Sequence, residues 1–435
     1  MAAHSLLTRH GFQQSDLQEE TNIGLFLNQA IYYAKVNRED LASLQELKWI
    51  EALNSASHHF RGGGKVLIDP EKQEIPLADL DPHMRGMVRW LNALGIYTVN
   101  SCDGHNTRPA HIYLKHHLTN QQMNLIQGCS LVDVKVRFSG KKVSFLYKQG
   151  EVHKLLEIAE RLHAFLMNPA IIEDFEAEKF KPHLLKLLSI SGSSGNERRI
   201  RAYLQQKLHR LTDYTYMDKA GNLLAYLYCG DGPTVLLSAH MDTVEEFEEG
   251  RHIFENRTVL TSSSGILGAD DRAGIAVILE VLSRIQKTNF NGTLKIAFTV
   301  KEEIGCVGSK DMDVQFLGDV DGAIVVDRRN TRDIVTSNGT TSFCPTSYGE
   351  LFEKAGVLLG MSNWKTTSGG LSDAKVYASY GIPSVNLSVG YDNEHTDWES
   401  VDYKATYQTV KLVECVLHLQ MIGLGVDLRV DASYE

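Results

Sequence analysis

Four apolar runs in the second half of the chain stop at an acid or an imidazole. Thr234–Ala239 runs straight into His240-Met241-Asp242, and the alternating Leu294, Ile296, Phe298 and Val300 lead into Lys301-Glu302-Glu303. Gly322–Val326 ends in Asp327, and Ser384–Val389 is followed after a short loop by Asn393-Glu394-His395-Thr396. Short runs this apolar read as strands buried on both faces. They alternate with helical stretches at Phe175–Leu188, Glu197–Leu211, Arg272–Ile285 and Ala405–Ile422. That alternation predicts an α/β architecture, a largely parallel sheet flanked by helices. Ligands of open α/β sheets collect at strand ends, so the same feature predicts a site.

The first part of the chain is patterned differently. Apolar residues recur at helical spacing from about Asn22 to Leu53, and Asp81–Leu94 reads as another helix. Strand-like runs follow at Gly95–Asn100 and His111–Leu114, then a helix around Asn120–Ile126. A hairpin is expected from Val132–Phe138 and Lys142–Tyr147, turning on Ser139-Gly140, and a helix from about Glu151 to Leu166. Mixed helices and hairpins imply an α+β domain over residues 1–168, closed where Pro169 stops the helix, with the α/β domain over 169–435.

Composition narrows the function classes. In 435 residues, 44 Lys+Arg stand against 54 Asp+Glu, a formal net charge of −10, which argues against a basic nucleic-acid binder. The opening residues turn polar within a dozen positions, and the most apolar windows are broken by charged or polar residues, so neither export nor a membrane span is expected. Six cysteines without a C-x-x-C pair fit neither a disulfide framework nor a thiolate zinc site, and a reducing cytoplasm is the simplest expectation.

Taken singly, none of the polar residues is diagnostic. Asp242, two positions after His240, is placed to orient the imidazole. The turn Gly268-Ala269-Asp270-Asp271 opens an apolar helix, where acids serve as caps. The set is what matters: His240, Asp270, Glu302-Glu303, Asp327 and His395, nearly all at strand ends. Imidazole and carboxylate without thiolate suit catalytic zinc, with manganese or cobalt as alternatives. Five candidate ligands exceed what one open catalytic ion needs and suffice for two ions sharing a carboxylate.

The blocks SGSSGNERRI (Ser191–Ile200), LLSAHMDTV, GILGADDRAGIA, FTVKEEIGCVGS, AIVVD and SGGLSDAKVYASYGIPSVNLSVG leading to NEHTDWESV resemble, in order, those of the co-catalytic di-zinc exopeptidases, which include leucine aminopeptidase, peptidase T and carboxypeptidase/deacylase relatives. They cover nearly all of residues 175–422; the N-terminal domain lies outside the resemblance. It implies a hydrolase with two Zn2+ per chain. Asp270 would bridge the ions, His240 and Asp327 would complete one shell, and Glu303 and His395 the other. Glu302 would be the general base, with Asp271 the rival to Asp270 should the register differ. In that family the bridging Asp often precedes a cis peptide bond, so Asp270-Asp271 is a candidate for one. Only 68 positions separate Asp327 from His395, too few for the lid or dimerisation domain that peptidase T and the carboxypeptidase relatives insert there.

Substrate is less constrained. An aminopeptidase must hold a protonated amine, for which the acidic loop Glu245–Glu249, Glu255 or Asp373 is available. A carboxypeptidase or N-acyl amino acid deacylase must hold a carboxylate, for which Arg328 and Arg329 are available. The missing lid and the wording of the motifs favour the aminopeptidase, acting on a small peptide, with no nucleic-acid or membrane partner. A fold-keeping binding protein without catalysis is disfavoured because every ligand position and the base are filled. In the N-terminal domain, Cys102-Asp103-Gly104-His105, with His111, His116 and His117 close behind, reads as a loop between strands or as a further metal site.

Overall fold

The computed structural model describes residues 8–11, 77, 80–339 and 341–422, so the helix expected over Asn22–Leu53 lies outside the described residues. Two compact units divide between Lys179 and Phe180.

In the first unit, α1 (Pro82–Ala93), β1 (Thr98–Cys102), β2 (Ala110–Leu114), α2 (Asn120–Cys129), β3 (Lys135–Ser139), β4 (Lys142–Leu146) and α3 (Lys154–Met167) follow one another. The strands form an antiparallel sheet in the order β1-β2-β4-β3. Gly140, at φ 58°, closes the β3–β4 hairpin where the sequence places a turn. β1 starts later than the apolar run because Gly95, at φ 75°, belongs to the end of α1, its N–H donating to the Asn92 carbonyl. Met84, Met87 and Leu91 of α1 and Leu155, Ile158 and Leu162 of α3 join Ile112 and Phe145 of the sheet in one core. Pro169 stops α3, but α4 (Ile172–Leu188) follows at once, and its Ile172 and Phe175 pack on this same core. That packing carries the compact unit beyond residue 168.

The second unit continues with α5 (Arg198–Leu211), β5 (Tyr214–Met217), β6 (Leu223–Tyr228), β7 (Thr234–His240), β8 (Ile253–Asn256), β9 (Val259–Ser262), α6 (Ala269–Ile285), β10 (Thr293–Thr299), the single turns α7 (Val307–Lys310) and α8 (Val314–Leu317), and β11 (Gly322–Arg328). It closes with β12 (Asp333–Asn338), β13 (Thr341–Ser342), α9 (Thr346–Leu358), β14 (Lys365–Ser368), α10 (Asp373–Ser379), β15 (Ser384–Ser388), β16 (Tyr391–Asp392), β17 (Ser400–Asp402) and α11 (Tyr403–His418). Nine strands form the main sheet in the order β13-β12-β15-β11-β7-β10-β6-β5, with β14 paired to β12. The four expected strands, β15, β11, β7 and β10, are its parallel centre, while β6 and β5 on one side and β12 and β13 on the other run antiparallel. The sheet is therefore mixed: antiparallel β6 is buried along with the parallel centre, and the more polar β5, β12 and β13 lie toward its margins. A smaller antiparallel sheet, β16-β17-β9-β8, was not expected from the sequence. Among the described residues no helix is long and apolar enough to cross a membrane.

Register fixes what meets at the strand ends. Thr299 pairs with His240 across β10 and β7, and Val325 pairs with Ser238 across β11 and β7. Glu302-Glu303, His240 and Asp327 therefore leave the sheet at neighbouring points. α6 crosses β7 and β11 closely, and a Cβ on Gly274 would stand 1.8 Å from the Val326 carbonyl oxygen and 2.4 Å from Asp271 Oδ1. Neither backbone nor a buried carboxylate can yield. Gly274→Ala is expected to destabilise the second unit by about 3 kcal/mol, the upper part of the usual overpacking range. Denaturant unfolding of the variant checks this, and an unchanged midpoint would contradict the close approach.

Candidate metal centre

His240, the last residue of β7, is buried, and both ring nitrogens are committed. Nδ1 lies 3.0 Å from the backbone carbonyl of Asp242, and Nε2 lies 3.0 Å from Asp270 Oδ1 and 3.6 Å from Asp327 Oδ1. His395 approaches from the far side, with Nε2 3.1 Å from Asp270 Oδ2 and 2.9 Å from Glu303 Oε2. The structure thus brings His240, Asp270, Glu303, Asp327 and His395 into one place. They fall into two groups able to hold an ion, His240-Asp270-Asp327 and Asp270-Glu303-His395, with Asp270 in both. Each imidazole faces a different oxygen of the same carboxylate.

The electrostatics are those of crowded anions. Burial pushes the Asp327 carboxyl up to about 7, despite the hydrogen bond from His240, and burial pushes Glu302 up to about 9 with Asp327 and Asp373 adding to it. His395 is raised to about 11 by its bonds to Asp270 and Glu303. For His240, burial opposes the charged ring, but the bonds to Asp242, Asp270 and Asp327 prevail and hold it well above its usual value. Asp270 is held below the carboxylate range because the two imidazoles outweigh its burial.

Several surrounding residues have duties different from those read in the sequence. The nearest acceptor for His240 Nδ1 is the Asp242 carbonyl; the carboxylate stands 3.5 Å away. β7 ends at His240, so Asp242 no longer shares a strand face with it and turns toward the loop after β10. There Oδ1 accepts the Glu302 N–H at 3.0 Å and Oδ2 the Glu303 N–H at 3.2 Å, while the Ser194 hydroxyl donates to Oδ2 at 2.6 Å. Asp242 thus fixes the glutamate pair. The peptide bond between Asp270 and Asp271 is cis. Asp271, the rival bridging residue, turns inward: its oxygens accept the N–H groups of Gly274 at 2.9 Å and His240 at 3.2 Å.

Of the acids available for a substrate amine, Asp373 is 1% exposed and bound by the hydroxyls of Thr299 and Ser309. Burial also raises its pKa, so it is an interior support of the Glu302 loop and no surface for an amine. Glu246 accepts from Ser191, Ser193 and Asn196, which outweigh slight burial and hold it down at about 2. Glu255 pairs with Lys181 at 2.7 Å. Arg328 faces Asp333 at 3.4 Å and Arg329 faces Glu394 at 3.1 Å.

One residue was passed over. Glu399, 1% exposed, accepts the Gly268 N–H at 2.7 Å on Oε2 and the Asp270 N–H at 3.0 Å on Oε1. Burial lifts its carboxyl to about 7. Gly268, in the left-handed conformation at φ 71°, begins this turn. The sequence signal was available, since Glu399 lies four positions after His395 in NEHTDWESV, but no motif rule ties it to a turn some 130 residues away. A cleft of about 560 Å³ borders it, lined among others by Glu248, Ser262, Ser263, Ser264, Asp397 and Trp398.

Comparisons with known proteins converge on this geometry. Residues 250–345, which include Asp270, Glu302, Glu303 and Asp327, match the family described as M42 glutamyl aminopeptidase. A peptidase T of Salmonella arizonae is 41% identical over 61 residues, 14% of this chain and 15% of that protein. The aminopeptidase PepT of Bacillus cereus superposes with a TM-score of 0.52 at 20% identity, covering 56% of this chain and 98% of that one; a Staphylococcus aureus tripeptidase gives 0.50 over 56% and 98%. Both structures share the fold of this chain over that part of it. The uncharacterized protein YqjE of Bacillus subtilis aligns with this chain over 355 positions at 23% identity, 96% of that protein. Those positions correspond to 54% of this chain, about 235 residues. The aligned part of this chain is thus about 120 residues shorter than the alignment, and residues 328–394 go into β12 to β16, α9 and α10.

Groups that hold ligand-bearing segments in place commonly affect metal affinity by about 10–100-fold. Glu399→Ala frees the 268–270 turn and is expected to weaken metal retention by about that factor while the fold persists. Competition with a chelator, followed by metal analysis, measures it; retention equal to wild type would show that the turn stands without Glu399.

Proposed function

We propose that the chain is a metal-dependent aminopeptidase working with two divalent cations, zinc by preference, held by His240, Asp270, Asp327, Glu303 and His395. The observation that carries this reading is the pair of Nε2 atoms facing opposite oxygens of Asp270. The donor set fits such a pair. Nitrogen and oxygen without sulfur suit zinc, manganese or cobalt, and a shared carboxylate is the economical bridge. The raised values of Asp327, Glu302 and His395 fit as well, because protons are drawn to a place that four carboxylates make electronegative. Cations bound there would supply Lewis-acid activation of water and of the scissile carbonyl.

The residues then divide the remaining work. Glu302 acts as the general base, its carboxylate taking a proton from the attacking water and returning it to the leaving amine. Its Oε1 accepts from the Cys306 thiol at 3.1 Å, which fixes the side-chain rotamer. Asp242 positions Glu302 and Glu303 through their backbone N–H groups, and Glu399 positions Asp270 through the Gly268–Asp270 turn. Neither needs to touch substrate.

An amino-terminal specificity is supported by three observations. The arginines that a carboxypeptidase or deacylase would use already face Asp333 and Glu394. The cleft beside Glu399 carries Glu248 and Asp397, two carboxylates suited to a protonated amine, and the apolar surface of Trp398. The relatives carry names such as PepT aminopeptidase and tripeptidase. We further propose that the domain works without an inserted lid, so the substrate is a small peptide, and that the protein acts in the cytoplasm.

Glu302→Gln is expected to lower kcat by about 10²–10⁴-fold, the usual worth of a general base, with two metal ions per chain retained. A variant with unchanged hydrolysis of an amino-acid anilide would remove Glu302 from the mechanism. Chelation should abolish turnover of the anilide and added Zn2+ restore it. An enzyme active only on a blocked peptide with a free carboxyl end would reverse the assigned polarity.

A further inference from the structure

Outside the second unit, one group of side chains has the composition of a metal site and no part in the chemistry above. Asp81 is the residue before α1, Cys102 ends β1, and Asp103 and His105 lie in the turn that follows. One ligand atom from each lies within 4.8 Å of every other. We propose that Cys102, His105 and Asp81 bind a single borderline divalent cation, zinc foremost, with Asp103 orienting His105.

The roles follow from the hydrogen bonds. Asp103 is mostly buried and tightly held: its carbonyl accepts from the Tyr147 hydroxyl, Oδ2 lies 3.2 Å from His83 Nδ1, and Oδ1 accepts the His105 N–H at 2.8 Å. Both carboxylate oxygens thus face donors, so Asp103 is an acceptor. The same Oδ1 stands 3.2 Å from His105 Nδ1, a position that favours the proton on that nitrogen. That leaves the lone pair on Nε2, and Nε2 faces Cys102 Sγ at 3.9 Å. A carboxylate that fixes the imidazole tautomer behind a ligating nitrogen is the usual support of a metal-bound histidine. Zinc bonds of about 2.3 Å to sulfur and about 2.0–2.1 Å to nitrogen at a tetrahedral angle set those two atoms about 3.6 Å apart, close to the observed spacing.

Cys102, His105 and Asp103 also have the order of a nucleophile, base and orienting acid. The surroundings disfavour that use. Asp81 and Asp103 crowd the thiol with negative charge, and no cationic side chain belongs to the group to stabilise a free thiolate. Two carboxylates beside a thiol are what a cation requires. Asp81 spends one oxygen on the Asp103 N–H at 3.0 Å, and a carboxylate oxygen has further acceptor capacity for a metal. His105 is half-exposed, with φ 50°, so ions and water can reach the group.

The test uses the full-length protein, reduced, stripped of metal and titrated with Co2+. A thiolate bound to cobalt gives a near-ultraviolet charge-transfer band, which the sulfur-free donors of the catalytic centre cannot give. The band is expected to saturate at one equivalent per chain, to vanish in Cys102→Ser, to persist in Cys306→Ser, and to need at least about tenfold more cobalt in His105→Gly, consistent with loss of one ligand. His105→Gly also suits the positive φ and keeps the test decisive if Cys102→Ser fails to fold. Absence of the band in wild type, its survival in Cys102→Ser, or an unshifted titration in His105→Gly would overturn the assignment. In a parallel measurement Zn2+ should protect Cys102 from alkylation by iodoacetamide, and rapid alkylation unaffected by Zn2+ would make it a reactive thiol instead.

Discussion

Four carboxylates, Asp270, Glu302, Glu303 and Asp327, are brought together at the ends of two parallel strands, β10 and β11, and the start of one helix, and their mutual repulsion is the constraint around which the domain is organised. In water such charges would separate. Here the register of β7, β10 and β11 forbids it, because Thr299 opposes His240 and Val325 opposes Ser238. The apolar strands supply the free energy that holds the acids in place, and their burial costs are offset only by positive charge. His240 and His395 provide some of it, as their raised pKa values show. The rest is the physical case for cations.

A second set of acids surrounds the first and works by a different bond. Asp242 accepts from the backbone of Glu302 and Glu303, Asp271 from Gly274 and His240, and Glu399 from Gly268 and Asp270. Each ties a segment bearing a candidate ligand to a distant part of the chain. A charge-assisted bond from backbone N–H to carboxylate is short, directional and stronger than a neutral one, so loop residues are held with the precision of a strand. Ser194 extends the arrangement by donating to Asp242, which gives the SGSSGNE segment a role at the site without direct contact with the central acids.

Much of this was legible in the sequence, and the exceptions share a cause. The four central strands and the helices after them have strong apolar periodicity and are found within a few residues of their expected limits. β5 and the small sheet β16-β17-β9-β8 carry weaker patterns, because their strands are short and partly open to solvent. The strand-end residues were readable because the chemistry of ligands restricts residue type. Supporting residues were not. Asp242 was read as an orienter of His240 from strand geometry, yet the strand ends one step earlier and its carboxylate serves the glutamate loop. Asp373 was read as available for a substrate amine, and only tertiary packing reveals the hydroxyls of Thr299 and Ser309 that engage it. Glu399 sits in a quoted block, but nothing in the sequence names its partners, which are backbone amides some 130 residues away.

Donor chemistry separates the two candidate metal groups more sharply than geometry does. The five residues gathered around Asp270 offer nitrogen and oxygen alone, so cations held by them would stay strongly Lewis-acidic, with zinc, manganese and cobalt all suited. A thiolate donates more charge, selects softer ions and blunts their acidity. A group built from Cys102, His105 and Asp81 is thus poorly matched to peptide hydrolysis and better matched to retaining one ion tightly. Its attachment to the start of α1 and the end of β1 points the same way, because an ion there would fix the helix against the sheet edge in a unit whose described core is small. On that reasoning the two groups answer to different demands: reactivity where the acids crowd one another, and cohesion where a single thiol replaces one of them.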